Sequence, residues 1–279
     1  MKVYAPAKVN LALDVLGQNE DGYHELDMIM APVLSLYNVV DITPDDKTTI
    51  TCTNGDIPDD NAMRKMVQVL KENYPISDYA IRIEEHIPMQ AGLAGASANA
   101  AAVLKAINDM DELHLSQEDM IRLGKQVGAD VPFCVVNKYA RVKGIGEQIR
   151  CMDCQWKFSI LLVKPEAGVS TPEAFKTWHQ LEPMHPDLDA LEDLLVAQDL
   201  RQFVQAMGNA LEPAALHLVE SLAVLKEQMQ ALGLAVMMTG SGSTMMGFGS
   251  REQLAKAQDC LKDQYPFVQI AVSYTHLRA

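Results

Sequence analysis

The 279-residue sequence predicts an α+β protein in two lobes. Strand-like alternation and helix-like periodicity interleave before Pro165, with both hairpin and crossover spacings between them. Beyond Pro165 helical patterns dominate until a short strand and a glycine-serine turn near residue 240. The character of the chain changes close to residues 150–156. That places the two lobes at residues 1–153 and 154–279.

Taken in order, residues 3–15 alternate as a half-buried strand does. Val3, Ala5, Ala7, Val9, Leu11 and Leu13 fall on one face, and Lys2, Tyr4, Pro6, Lys8, Asn10 and Asp14 on the other. Asp21-Gly22 marks a turn, after which an apolar, strand-like run continues to about Asp41. A short strand over residues 48–53, a helix over 61–73 and a strand over 79–84 follow. Helices are expected at about 97–108 and 116–127, the second started by Ser116 with Asp119 three residues on. Strands are expected at 135–143 and 158–163. Helical patterns from Thr171 to Leu232 are divided by Pro183, Pro186 and Pro213. A strand at 235–239, a helix at 251–264 and a strand at 268–273 close the chain. His276 to Ala279 belong to no motif.

Composition narrows the function. Hydrophobic residues at 48% and charged residues at 22% are those of an ordinary globular protein. A net charge of −14 argues against nucleic acid or an anionic membrane as the main partner. Apolar stretches such as residues 158–163 are too short to span a bilayer, and the N-terminus lacks an apolar signal core. The reading is therefore a cytoplasmic protein, and any anionic ligand must find positive potential supplied locally. Cys52, Cys134, Cys151, Cys154 and Cys260 form an odd, scattered set rather than a disulfide framework. Cys151-Met152-Asp153-Cys154 lacks the second ligand pair a zinc site needs, so it reads as two thiols near the start of a strand.

The most informative segment is Ile87-Pro88-Met89-Gln90-Ala91-Gly92-Leu93-Ala94-Gly95-Ala96-Ser97-Ala98, which runs into a strong helix former. Tiny residues let a backbone wrap closely around an anion at the positive end of a helix. The same residues also serve as a turn that packs a helix close to a strand. No Lys follows at the spacing of a Walker A loop. Lys8 and Asn10, flanked by small residues, either reach a common cavity or face solvent on a half-buried strand. Asp130, within Gly128-Ala129-Asp130-Val131-Pro132-Phe133, is either a carboxylate poised beside a hydroxyl or the cap of a short helix with Pro132 in its first turn. Thr239-Gly240-Ser241-Gly242-Ser243 is a phosphate-approaching loop or a tight turn. Tyr23 and His24 beside the Asp21-Gly22 turn can stack on a planar base or simply pack.

The order of these elements carries more than any of them alone. Pro6-Ala7-Lys8-Val9-Asn10-Leu11, Asp21-Gly22-Tyr23-His24-Glu25-Leu26, the Ile87–Ala98 loop, Gly128–Phe133, Gly144-Ile145-Gly146-Glu147 and Thr239–Ser243, in that sequence, resemble the GHMP small-molecule kinase superfamily over essentially the whole chain. The resemblance implies a two-lobed fold, with a ribosomal protein S5 domain 2-like N-terminal lobe and a ferredoxin-like C-terminal lobe. It implies an ATP-dependent kinase using Mg²⁺ and, from the Tyr-His element, an acceptor that is a cytidine-diphosphate sugar alcohol of the non-mevalonate route to isoprenoids. Lys8 and Asp130 would be catalytic. Residues 88–98 and Asn61 would bind ATP, with Ser97 a contact to Mg²⁺ or phosphate. Tyr23, His24 and Phe175 would grip the cytosine, while Asn10, Thr171, Gly240, Ser241 and Gly242 would border the substrate. The partner would be a small molecule, and the protein a monomer or homodimer.

The sequence departs from the family in the small-residue loop and again after Phe133, where Cys134 to Arg141 replace the usual Gly-Gly pair before Thr-Ala. Where the family loop commonly reads Gly-Leu-Gly-Gly-Gly-Ser-Ser, this chain has Gly92-Leu93-Ala94-Gly95-Ala96-Ser97-Ala98. An alanine forced into a left-handed conformation costs about 1–2 kcal/mol, and Ala98 removes a hydroxyl. The alternatives that follow are a catalytically silent relative that binds a nucleotide or metabolite, or a kinase for another alcohol.

Overall fold

A computed structural model describes residues 1–154 and 156–273. Residues 276–279, set apart in the sequence, lie outside the described residues. Two long strands dominate the first half: β1 (Lys2–Gln18) and β2 (His24–Pro44), joined by a turn in which Gly22 has φ +83° and donates its N–H to Asn19. The two pair antiparallel along their whole length, with register shifts at Pro6/Ala7, Asn10/Ala12 and Val15/Gly17. β3 (Thr49–Cys52), α1 (Ala62–Asn73), β4 (Tyr79–Glu84), α2 (Gly95–Met110) and α3 (Gln117–Lys125) follow. Then come α4 (Val131–Val136), β5 (Ala140–Gly144) and β6 (Gln148–Cys151). The first sheet runs β3-β4-β2-β5-β6, with β1 on β2. Because β2 is so long, its first half pairs with β5 and its second half with β4.

β7 (Ser159–Lys164) opens the second sheet. Five helices separate it from the next strand: α5 (Thr171–Trp178), α6 (Leu188–Ala197), α7 (Leu200–Ala206), α8 (Glu212–Leu218) and α9 (Glu220–Ala231). β8 (Ala235–Met238), β9 (Met245–Phe248), α10 (Arg251–Leu261) and β10 (Phe267–Val272) complete it. The sheet order is β10-β7-β9-β8, all antiparallel. With helices between β7 and β8 and between β9 and β10, this is the β-α-β-β-α-β arrangement of a ferredoxin-like lobe. The α+β reading holds in both lobes.

Several boundaries differ from the expected ones for identifiable reasons. Residues 135–143 were expected as one strand, but Val131–Val136 is helical. Pro132 sits in its first turn, and Asn137 ends it in a left-handed conformation at φ 50°. The strand therefore begins only at Ala140. β6 and β9 carry no distinct alternation and were not foreseen. α3 matches its expected start, with Ser116 and Asp119 forming a reciprocal capping box.

The expected two-faced burial of β1 is also corrected. Every residue from Ala7 to Val15 is buried. α2 lies against this strand, while Ala7, Val9 and Leu11 pack with Phe158, Ile160 and Phe248 of the second lobe. A second cluster likewise joins Leu13, Val15, Met28 and Phe133 to Leu161, Val163 and Met238. The two sheets are thus separate hydrogen-bonded units on a shared apolar interior. A third cluster, built from α1, α2, β4 and neighbouring residues, is confined to the first lobe. No helix among the described residues is long and apolar enough to cross a membrane.

An ion network ties the first sheet to α6. Arg141 on β5 donates through Nε and Nη2 to buried Asp27 at 2.9 and 2.8 Å, pairs with Asp189, and reaches Glu192 at 3.3 Å. Lys143 adds a contact to Asp27 at 3.1 Å. Burial opposes ionisation of Asp27, but the hydrogen bonds and charges of Arg141 and Lys143 outweigh it and hold the carboxyl below its ordinary range. A carboxyl with a lowered folded-state pKa stabilises the fold above its unfolded pKa of 3.8 and loses that contribution as pH falls through the folded value. Arg141→Met should therefore cost about 1–3 kcal/mol at pH 7, because it leaves buried Asp27 with Lys143 as its remaining cation. The deficit should shrink below pH 3.8, as compared by urea unfolding of both proteins at pH 7 and pH 3.

Candidate active site

β1 supplies the centre of the site. The Lys8 side chain is only 5% exposed, so the solvent-facing alternative is overturned. Its Nζ donates to Asn10 Oδ1 at 2.7 Å and lies 3.5 Å from Asp130 Oδ2. Asn10 is itself pinned, with its N–H donating to Thr239 Oγ1 at 2.9 Å and its side-chain amide touching Met28 Sδ at 3.2 Å. Asp130 occupies the cap position of α4, but its side chain makes no capping bond. Of the two readings of Asp130, the helix start is right for the backbone. The carboxylate is left for Lys8, and 35% of it remains exposed.

The small-residue loop folds over β1. Lys8 N–H donates to Leu93 O at 3.1 Å, drawing the loop onto the strand. Gly92 has φ +71°, and a Cβ there would overlap the Thr239 carbonyl oxygen and sit 3.2 Å from the Gly242 carbonyl oxygen. Gly240, at φ +59°, approaches in return: a Cβ would lie 3.0 Å from Gly92 O and 3.4 Å from Lys8 Nζ. The two glycine loops therefore interlock backbone to backbone beside the lysine. Asn209 holds the second loop in place by donating to Met238 O and Gly240 O, both at 2.8 Å. At the other end, buried Asn38 accepts from the N–H groups of His86 and Ile87 at 2.7 and 2.8 Å and donates to Asn99 on α2 at 2.9 Å. Asn38, Asn99 and Asn209 were missed in the sequence. Their signal is weak, an amide inside an apolar run whose buried partners only the fold supplies.

A cavity of about 880 Å³ opens over these loops. It is lined by residues 87–97 of the loop, by Asn61 and its neighbours at the start of α1, by Asp130, by Thr171 at the start of α5, and by Ser241 and Gly242. Ser241 and Thr171 hydroxyls are hydrogen-bonded at 2.8 Å, joining the second loop to α5. The N-termini of α1, α2 and α5 all face the cavity, so unpaired N–H groups and helix dipoles lend it positive potential in a chain of net charge −14. Among the described residues its lining includes Asp56, Asp60, Glu85, Asp130 and Glu173 but no Lys or Arg.

Some expected contacts fall elsewhere. Ala98 is buried in the apolar cluster of the first lobe, and its N–H is bonded to Ala94 O at 2.9 Å, so it offers the cavity neither side chain nor donor. Gly240 and Asn10 are buried behind the lining rather than in it. Asn61 caps α1, accepting from Arg64 N–H at 3.0 Å. His24 and Phe175 come together as stacked rings with centroids 4.0 Å apart and 14° between planes. Tyr23, 63% exposed, instead lines a second cavity of about 290 Å³ with Gly128, Ala129, Pro132 and Ile145. The three residues of the expected base grip therefore do not form one slot in this conformation. Burial and the neighbouring His179 both lower the His24 pKa, favouring the neutral ring at pH 7. Cys151 is exposed, and Cys154 donates its thiol to Leu195 O at 3.6 Å.

Comparison with known proteins places this geometry. The model for the GHMP kinases N terminal domain matches residues 61–138, and that for the GHMP kinases C terminal matches residues 190–266. A Geobacillus thermodenitrificans protein is 39% identical over 88% of this chain and 87% of its own. A Clostridium beijerinckii protein is 37% identical over 97% of this chain and 99% of its own. The chain belongs to the GHMP kinase family. Both relatives are named 4-diphosphocytidyl-2-C-methyl-D-erythritol kinase. A crystal structure of 4-(cytidine 5'-diphospho)-2C-methyl-D-erythritol kinase superposes with a TM-score of 0.80 at 29% identity, over 98% of both chains. The homoserine kinase of Cytophaga hutchinsonii, at 17% identity and a TM-score of 0.75 over 99% of this chain and 94% of its own, shares the fold.

The alanine-bearing loop can be judged from its backbone. Ala94 is left-handed at φ 59°, ψ 32°, whereas Ala96 and Ala98 lie within α2. Of the three alanines only Ala94 is strained, by about 1–2 kcal/mol. Ala94→Gly should raise stability by about 0.5–1 kcal/mol once the greater freedom of the unfolded glycine is offset. Gly92→Ala, by contrast, should cost at least about 2 kcal/mol, because the added methyl overlaps the Thr239 carbonyl. Calorimetric melting of the two variants checks both signs.

Proposed function

We propose that this protein transfers the γ-phosphoryl group of ATP to the 2-hydroxyl of 4-diphosphocytidyl-2-C-methyl-D-erythritol, in non-mevalonate isoprenoid biosynthesis in the cytoplasm. The observation that carries the proposal is the Lys8–Asp130 pair at the edge of a large cavity lined by the N-terminus of α2. Residues 1–153 would act as the ATP-binding domain and residues 154–279 as the domain closing the acceptor side.

Phosphoryl transfer through a loose transition state needs positioning and charge stabilisation more than covalent chemistry. Lys8 holds Asp130 through Oδ2, leaving Oδ1 to accept a hydrogen bond from the acceptor hydroxyl and take its proton as the new P–O bond forms. Lys8 Nζ, kept in place by Asn10 Oδ1, lies where negative charge gathers on the transferring group. The N–H groups of Gly95, Ala96 and Ser97, at the first turn of α2, would receive phosphate oxygens. Asn61 and the start of α1 would flank the nucleoside.

The donor chemistry of the cavity fits a hard cation. Its carboxylates and the Ser97 hydroxyl are oxygen donors, and no Lys or Arg among the described lining residues offsets a polyphosphate. Mg²⁺ bound with the nucleotide would supply that neutralisation, with Ser97 as a protein contact. Thr171 and Ser241 would border the acceptor, and His24, Phe175 and Tyr23 would receive its base.

ATP consumption measured with Mg²⁺ and 4-diphosphocytidyl-2-C-methyl-D-erythritol, beside mevalonate, homoserine and galactose, tests the assignment. Turnover is expected with the cytidine compound alone. Folded protein inactive on every acceptor would point instead to a silent relative. Asp130→Asn should lower kcat by about 10²-fold or more, the usual scale for a positioned proton acceptor, in a protein that still folds but melts lower because buried Lys8 loses its counter-charge. Wild-type turnover in that variant would remove Asp130 from the chemistry.

A further inference from the structure

α5 presents Phe175 and His179 one turn apart, on one face of the helix. The ring of His24, from the start of β2, is seated on this face. Phe175 lies beneath it at 4.0 Å, Trp178 meets it edge-on with centroids 6.2 Å apart, and its Nε2 stands 2.9 Å from Nε2 of His179. A neutral imidazole has one N–H and one bare nitrogen. Two neutral rings bonded Nε2 to Nε2 must therefore take complementary tautomers, one protonated on Nε2 and the other on Nδ1. The bond therefore couples the tautomers of the two rings and is made equally well with the shared proton on either. His179 lies outside every motif of the sequence, and its ring is exposed, so the apolar interior does not require it.

We propose that His179 is a positioning residue for recognition of the substrate's nucleobase: its hydrogen bond to Nε2 of His24 fixes where the His24 ring sits, and so where its Nδ1 edge meets the base. The proposal rests on the reading of His24 as a base-contacting residue.

The test compares His179→Ala, His179→Gln and His179→Phe with His24→Ala, in the full-length enzyme. His179→Ala should raise KM for the cytidine substrate about three- to tenfold, the effect of losing one hydrogen bond of ordinary net strength. Both kcat and the KM for ATP should stay within about twofold. His179→Gln, which keeps a donor and an acceptor, should restore most of the loss, whereas His179→Phe, which keeps only ring packing, should not. The ¹⁵N imidazole resonances of His24 should shift in His179→Ala, in which Nε2 loses its hydrogen-bond partner. Equal rescue by Phe and Gln, or His24 resonances unmoved by His179→Ala, would overturn the proposal. A raised cytidine KM in His24→Ala with none in His179→Ala would overturn the positioning role and leave the base contact standing. An unchanged cytidine KM in His24→Ala would overturn the base contact, and the proposal with it.

Discussion

The close approach of two glycine loops beside a buried lysine is the constraint from which the site follows. Gly92 and Gly240 each stand where a Cβ would meet the other loop's backbone or crowd it. Their contact seals Lys8 away from water, with Asn10 and Asp130 as its partners. A buried ammonium is costly unless its charge and donors are met. The geometry of Asp130 is therefore coupled to that of the loops, and a displaced loop would disturb the first-turn N–H groups of α2 and the carboxylate together. Because one loop comes from each lobe, the site exists only when both lobes are folded against β1.

Electrostatics makes the same arrangement necessary. The chain carries a net charge of −14 and offers carboxylates along the cavity wall. An anionic ligand is attracted there through directed, local potential: helix N-termini at close range and one cation at the edge of the cavity. Such potential acts over a turn of helix and hardly beyond, which suits discrimination between a phosphate placed for transfer and one merely nearby. The left-handed Ala94 shows that the loop geometry is imposed by its surroundings. The Lys8–Leu93 hydrogen bond and the Gly92 contact hold the chain in a shape that alanine resists.

The base-side elements are joined differently. His24 comes from the first lobe and Phe175, Trp178 and His179 from the second, and they meet as rings rather than as interlocked backbone. Ring contacts of this kind contribute about 0.5–1.5 kcal/mol each beyond buried area. They can therefore rearrange to admit a planar base far more readily than the glycine loops can part. Tyr23 stands apart from the stacked pair in this conformation, beside its own small cavity.

The sequence by itself determined the class of fold and most elements, and it singled out the candidate site residues that lie in continuous motifs. These are local properties: the period of apolar residues, the capping box at Ser116, and the run of small residues before α2. Tertiary structure alone decided the rest. Lys8 alternates with apolar neighbours as a surface lysine would, and it is buried only when the Gly92 loop closes over it together with Thr239 and Gly240, which arrive more than two hundred residues later. Asp130 looked equally like a cap and a catalytic carboxylate, because both use the same backbone; what the side chain touches depends on β1. Ala98 matched a motif position yet faces the core, since the helix begins early enough to use its N–H internally. Asn38, Asn209 and His179 have no local signature, because a single amide or imidazole acquires meaning only from the partner that folding brings within hydrogen-bond reach.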